Sequence, residues 1–361
     1  MFSADDHRWM AEALRFAERG LYTTDPNPRV GCVIVREGEV VGSGWHERAG
    51  LPHAEVLALR EARARARGAT AYVSLEPCCH HGRTPPCTDA LIEAGVARVV
   101  TAMEDPNPRV RGQGMAQLRA AGIVAEYGPG AAHAERLNRG FCKRMRNGLP
   151  WVTLKLGASL DGRTAMADGA SRWITGEAAR ADVQRLRARA SAIATGIGTV
   201  LADDPRLDVR LPGTTRQPLR VVFDSRLRAH AGLRCIGPGT LVFTAAEDSS
   251  RAAELIGEGV DILRCAGDGG RVDLAQALVE SGLREINELL VEAGAGLSGA
   301  LLEAGLVDEI VLYLAPGLLG HNARPLFELN GIGGLSDRIT LNIEDVRMVG
   351  ADLRIIACPK L

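Results

Sequence analysis

His53-Ala54-Glu55, followed by Pro77-Cys78 and then by Cys87, constrains this chain more than any other feature. If one metal ion takes His53, Cys78 and Cys87, three separate segments must close onto a single point. Zinc in a catalytic site takes three protein ligands and leaves a fourth position to water, which it acidifies toward neutral pH. Pro52 suits the first position of a helix, which would place His53 and Glu55 in that helix's first turn. Pro86 would do the same just ahead of Cys87, so two positive helix ends would aim at the thiolates. At ~100° per residue Glu55 diverges from His53, which puts its carboxylate beside the metal, where general acid/base work is done. This is the outline of a hydrolytic deamination site. Zinc deaminases carry His-x-Glu with Pro-Cys-x-x-Cys, whereas eight residues separate Cys78 from Cys87. The alternative is a closed structural site with Cys79, His80 or His81 as fourth ligand, and it leaves Glu55 without a role.

At 361 residues the chain fits two ordinary α/β domains, and a formal net charge of -1 gives no reason to expect a nucleic-acid or membrane partner. Arg60, Arg63, Arg65 and Arg67 read first as a solvated helix face. Eight cysteines are too sparse for a disulfide scaffold, and Cys32, Cys142, Cys235, Cys265 and Cys358 are expected as buried thiols. The acidic, amphipathic start from Met1 to Gly20 is neither a signal nor a transit peptide, so a cytoplasmic location is expected. A homo-oligomer is compatible with all of this.

The first half alternates strand and helix patterns: Val30–Val35, Val40–Gly44 around Glu37-Gly38, helix over His53–Arg67, strand Thr70–Leu75, helix Thr88–Ala94, strand Arg98–Ala102, helix Gly114–Ala121. That order argues for a three-layer α/β domain. Asp-Pro-Asn-Pro-Arg-Val occurs twice, at Asp25–Val30 and Asp105–Val110, each copy a turn-forming loop. A boundary near Asn147–Pro150 sets domains at 1–147 and 148–361. The second half alternates again, with strands at Trp151–Leu156, Ala192–Thr195, Leu219–Phe223, Leu241–Phe243, Glu288–Glu292 and Ile310–Leu314, and a helix over Glu177–Arg189. Between strand and helix lies Gly294-Ala295-Gly296-Leu297-Ser298-Gly299, a turn that can cradle a pyrophosphate. No acid ends the next strand, so a packing turn explains this motif equally well.

Asn27-Pro28-Arg29-Val30-Gly31, His53-Ala54-Glu55 and the run Leu75-Glu76-Pro77-Cys78-Cys79-His80-His81-Gly82-Arg83-Thr84-Pro85-Pro86-Cys87 resemble the deaminase half of the bifunctional deaminase–reductase family of riboflavin biosynthesis. Leu154–Arg163, Ser171–Thr175, Gly198–Leu207 and Val222–Ser225 are similar to its reductase half. The resemblance implies a cytidine-deaminase-like domain followed by a dihydrofolate-reductase-like one. It implies one zinc ion on His53, Cys78 and Cys87, with Glu55 as proton shuttle. Asn27 and His46 would contact a phosphorylated pyrimidine, and Arg83 would meet its phosphate where relatives often carry Lys. Cys79 stands where a small polar residue is usual, so its thiol is incidental. NADPH would be held by Gly157, Trp173, Thr199, Asp203, Ser225 and the loop Gly294, Ala295, Gly296, Leu297, Ser298, Gly299 and Ala300. Ser171, Arg187, Leu207, Arg210 and Glu292 would meet the substrate, with Arg187 and Arg210 suited to clamp phosphate. Lys155 is the candidate polar group near the reacting sugar carbon. The implied chemistry is deamination of a phosphoribosylamino-pyrimidine, then reduction of its ribose to a ribityl group. The competing readings are a zinc nucleotide deaminase with a regulatory nucleotide-binding domain, and a zinc-stabilised binding protein without turnover.

Overall fold

The computed structural model describes residues 1–80 and 85–360. It divides into two compact units, Met1–Gly148 and Leu149–Leu361. Among the described residues the first unit carries α1 (Ala4–Glu18), β1 (Gly31–Arg36), β2 (Glu39–Trp45), α2 (Ala54–Ala62), β3 (Thr70–Val73), α3 (Cys87–Ala94), β4 (Arg98–Thr101), α4 (Gln113–Ala120), β5 (Val124–Tyr127), α5 (Ala131–Leu137) and α6 (Arg139–Asn147). The sheet runs β2-β1-β3-β4-β5, antiparallel on either side of β1 and parallel beyond β3. Successive side chains of β1 part to opposite faces. Cys32 and Ile34 pack with Ala54, Ala58, Leu91, Met115 and Leu118, while Val33 and Val35 pack with Trp9, Met10, Leu14 and Phe141. Two cores on one sheet make the three layers.

Local chemistry sets the ends of these helices. Ser3 and Asp6 close a capping box at the start of α1, and Gly95, left-handed at φ 70°, ends α3. The expected helix over His53–Arg67 stops at Ala62, continues as a tighter turn over Arg63–Ala66, and has His53 as its N-cap. Pro52 therefore precedes the helix and is not its first residue. Of the five cysteines expected as buried thiols, Cys358 is only partly buried.

The second unit carries β6 (Trp151–Ser159), β7 (Arg163–Ala165), α7 (Glu177–Arg189), β8 (Ala192–Gly196), α8 (Ile197–Asp203), β9 (Leu219–Phe223), β10 (Thr240–Thr244), α9 (Ser249–Gly257), β11 (Val260–Arg264), α10 (Leu274–Leu283), β12 (Glu288–Val291), α11 (Ala295–Glu303), β13 (Glu309–Ala315), β14 (Arg324–Pro325), β15 (Leu341–Val349) and β16 (Asp352–Pro359). The main sheet runs β11-β10-β9-β8-β12-β6-β13-β16-β15, and β14 pairs with β7. Strands β11 to β13 in that order are parallel, so their carboxyl ends share one rim, where open α/β sheets bind ligands. β16 and β15 continue the sheet antiparallel. Helices cover the parallel part on both faces, over the cores of Leu154, Val221, Leu289 and Leu301 and of Ile193, Val222, Val242 and Leu255. No helix among the described residues is long and apolar enough to cross a membrane.

Candidate active site

α2 packs tightly against β2: a Cβ at Gly44 would lie 2.5 Å from the carbonyl oxygen of Ala54. That close approach fixes the helix start beside the sheet, with His53 at its cap and Glu55 in its first turn. α3 opens at Cys87, directly after Pro86. The Nδ1 of His53 lies 3.2 Å from the Cys87 sulfur and 3.6 Å from that of Cys78. One ligand atom from each of His53, Cys78 and Cys87 falls within 4.8 Å of the others. The Cys87 main-chain N–H donates to the Cys78 sulfur at 3.4 Å.

Electrostatics divide the two thiols. Hydrogen bonds from Cys87 and, against the penalty of burial, from His53 pull Cys78 down to about 4. Sharing its proton with Cys78, together with burial and the nearby Glu55, pushes Cys87 well above its usual value. The hydrogen bond to Cys78 raises His53. Glu55 is 3% exposed, and burial raises its carboxyl. Its Oε2 is buried without a hydrogen-bond partner. An imidazole and two sulfurs in mutual contact, beside an acid oxygen with nothing to bond, suit a dication and a water molecule between them. The residues fit zinc.

Asn27 and His46 complete this pocket. The Nδ2 of Asn27 donates to His46 Nε2 at 3.0 Å, which leaves Nδ1–H to donate to the Pro52 carbonyl at 3.2 Å. Burial lowers the pKa of His46, and its ring meets that of His53 edge-on at 5.2 Å. Arg83 lies outside the described residues. One buried acid was missed from the sequence: Asp105, 7% exposed, is pushed up to about 7 by burial and by the charges of Glu76 and Cys78. The signal that could have found it is the repeated hexapeptide, whose first copy supplies Asn27 and whose second begins at Asp105.

In the second unit Glu292 follows β12 at the ligand-binding rim. Arg187 grips it bidentately, Nε to Oε1 at 2.6 Å and Nη2 to Oε2 at 3.0 Å, and Lys155 of β6 stands 3.7 Å away. Burial opposes ionisation, but Arg187 and Lys155 hold the Glu292 carboxyl down at about 2. Arg187 also donates to the Asp208 carbonyl at 3.0 Å. The guanidinium expected to clamp a phosphate is therefore taken up by the protein's own groups. Arg210 is likewise paired with Asp208, an acid that sequence reasoning passed over. Leu207 is 3% exposed and lies in the core, so any substrate contact it makes is through its main chain.

Several of the residues expected to meet the dinucleotide lie on the segments that leave this rim. Gly196 and Gly294 are the N-caps of α8 and α11, which leave the adjacent strands β8 and β12. A Cβ at Gly294 would stand 3.9 Å from the Thr199 hydroxyl, and one at Gly198 would meet nothing within 4 Å. Asp203, at the end of α8, accepts from Arg172 through its carbonyl at 2.8 Å. Ser171 and Trp173 lie beside it in the chain, Trp173 being 71% exposed with Arg180 over its ring. The Ser225 hydroxyl accepts from the Val272 N–H at 3.1 Å. Two glycine-capped helix starts side by side, with open space around Gly198, fit a dinucleotide's phosphates. Gly299 answers a different need, since a Cβ there would lie 1.9 Å from the Glu328 carbonyl oxygen. The third glycine of the motif is a packing glycine.

Comparison with known proteins agrees with this geometry. Residues 150–355 match the RibD C-terminal domain, and residues 3–103 match the cytidine and deoxycytidylate deaminase zinc-binding region. The chain is 52% identical to the riboflavin biosynthesis protein RibD of Escherichia coli, over 96% of this chain and 98% of that one. This chain belongs to the RibD family. RibD of Haemophilus influenzae is 46% identical over 99% of both chains. The solved RibD of Acinetobacter baumannii superposes with a TM-score of 0.93 at 45% identity, covering 99% of both chains. A Thermotoga maritima protein with a TM-score of 0.86 and 30% identity, again over 99% of both, is a diaminohydroxyphosphoribosylaminopyrimidine deaminase and 5-amino-6-(5-phosphoribosylamino)uracil reductase. RibD proteins are bifunctional, with a zinc-dependent deaminase and an NADPH-dependent reductase, and the cytidine-deaminase-like and reductase folds found here are theirs.

Proposed function

We propose that the first unit hydrolytically deaminates a diaminohydroxyphosphoribosylaminopyrimidine, and that the second reduces the ribosyl group of the resulting 5-amino-6-(5-phosphoribosylamino)uracil to ribityl. The observation that carries this reading is the unpartnered Glu55 oxygen beside the His53, Cys78 and Cys87 atoms. His53, Cys78 and Cys87 would hold zinc, which when bound supplies Lewis acidity that brings a water molecule's pKa to about 7. Glu55 would take a proton from the attacking water as its oxygen bonds to the amine-bearing ring carbon, and would pass it to the amine, whose C–N bond breaks to release ammonia. Burial raises the Glu55 carboxyl, and a raised carboxyl can both take and give a proton near neutral pH. Asn27 would orient the pyrimidine through the amide groups it has left over, His46 would hold Asn27 and offer its ring to the base, and Arg83 would meet the phosphate.

In the second unit the turn from Gly294 to Ala300, with Gly157, Trp173, Thr199, Asp203 and Ser225, would hold NADPH, which supplies a hydride for the sugar carbon. Lys155, set by Glu292, supplies a positive donor beside that carbon. Arg187 orients Glu292, and Ser171, Leu207 and Arg210 line the substrate's approach. All eight cysteines are free thiols, which suits the reducing cytoplasm. A second copy of the chain would cover the β15–β16 edge, where Leu341, Ile343, Val346 and Met348 point to one face and are 41%, 65%, 52% and 61% exposed. These four offer on the order of 400 Å² of apolar surface, which doubled and rimmed approaches a standard interface. Dissociation of a Val346→Glu variant in analytical ultracentrifugation, against a dimeric wild type, would support this; a monomeric wild type would refute it.

The deaminase reading is tested with Glu55→Gln. Ammonia release is expected to fall by ~10²- to 10⁴-fold while zinc content stays at one per chain. Unchanged ammonia release would defeat the proton-shuttle role. The reductase is tested by NADPH oxidation that depends on the deaminated product; tight NADPH binding with no oxidation would instead favour a regulatory domain.

A further inference from the structure

We propose that Glu328 sets the affinity of the second unit for its dinucleotide by holding a negative charge against the first turn of α11, where that unit's pyrophosphate would sit. This rests on the reading above that the glycine-capped turn holds NADPH. Two contacts fix the main chain at Glu328 against the helix. Its N–H donates to the Ala295 carbonyl at 3.2 Å, and its own carbonyl oxygen occupies the place a Cβ at Gly299 would take, 1.9 Å away. The side chain is placed as narrowly, because a Cβ at Gly296 would lie 3.2 Å from Glu328 Oε2. Gly296 is the second residue of α11, so the carboxylate lies against the first turn of the helix with no side chain between them. Among the described residues the Glu328 carboxylate has no hydrogen-bond or ion-pair partner, and the residue is exposed.

A carboxylate at a helix start is held by the same partial positive charge that attracts a phosphate. Glu328 therefore offsets that charge and opposes the binding of a pyrophosphate there. The glycine that opens the cradle to a ligand also admits this internal anion. Affinity is lowered on purpose or by circumstance, but its size follows from one charge near one helix end.

Titrate full-length wild type, Glu328→Gln and Glu303→Gln with NADPH and with NADH by calorimetry, without substrate. Glu328→Gln keeps the backbone contacts and is expected to bind both dinucleotides about 2- to 5-fold more tightly at low ionic strength. The gain should shrink toward nothing at about 0.5 M salt, where exposed charges are screened. Glu303, at the far end of α11, accepts from the Gly331 N–H at 2.7 Å, and Glu303→Gln controls for net charge by leaving affinity unchanged. Equal or weaker binding by Glu328→Gln overturns the proposal, as does a gain confined to NADPH, which would place the carboxylate near the 2′-phosphate instead. If wild type binds neither dinucleotide, the reductase reading falls and this one falls with it.

Discussion

Glu55 and Glu292 are the same residue type, the first buried and the second mostly buried at the rim of its sheet, and their ionisation goes opposite ways. Burial raises Glu55, whereas Glu292 is held at about 2. The burial penalty is common to both; the difference is compensation from the protein's own chain. Glu292 has a bidentate Arg187 and a Lys155 at 3.7 Å. Glu55 has neighbouring sulfur and imidazole and an oxygen left bare. The first unit thus leaves its charges to be balanced by what binds there, and can move a proton. The second unit balances its charges internally, and keeps a fixed scaffold that orients Lys155.

The largest effect should come from breaking that internal balance. Glu292→Gln leaves Arg187 buried without its counter-charge and is expected to cost ~3–5 kcal/mol of stability in the second unit, measured by denaturant unfolding. Replacing both partners, Arg187→Met with Glu292→Met, should recover most of that loss, because neither charge is then stranded. A double variant as unstable as the single one would show that Glu292 does more than neutralise Arg187.

Acid provides a milder break of the same pair. A carboxyl whose folded value lies below its ordinary 4.5 stabilises the fold above 4.5 and loses that contribution as pH falls toward about 2. The difference amounts to about 3 kcal/mol at most. Wild type should therefore lose stability across that window faster than the doubly substituted Arg187→Met, Glu292→Met protein. Parallel stability curves down to pH 2 would contradict the assignment.

How much of this was legible in the sequence follows from distance along the chain and from burial pattern. Cys78 and Cys87 sit close in sequence, and Pro52 and Pro86 stand just ahead of α2 and α3, so their meeting with His53 could be anticipated. The β1–β2 hairpin could too, since Glu37 and Gly38 take positive φ at its turn. Lys155, Arg187 and Glu292 come from β6, α7 and the end of β12, and only the strand order β8-β12-β6 brings them together; no local pattern records that. The pairing of Arg187, expected as a phosphate clamp, with Glu292 was therefore not foreseen. The β15–β16 hairpin went unread because the bulge between Ile343 and Asp345 breaks the period-2 spacing of Leu341, Ile343, Val346 and Met348. His53 was placed two positions too deep because Pro52 precedes the helix instead of starting it.

Chelation tests the other half of the comparison. A ligand that binds only the folded state stabilises it by RT ln(1 + [L]/Kd), about 2.7 kcal/mol at a hundredfold excess over Kd. If the first unit depends on a bound ion to balance Cys78, Cys87 and Glu55, stripping zinc should lower its unfolding transition by an amount of that order. Hydrogen-exchange mass spectrometry would localise the change: protection should fall at the starts of α2 and α3, and stay as it was around Glu292, whose charges are balanced by Arg187 and Lys155. Equal loosening at Glu292 would mean that the two units do not keep their electrostatics separate, and the contrast between the two acids would no longer describe the molecule.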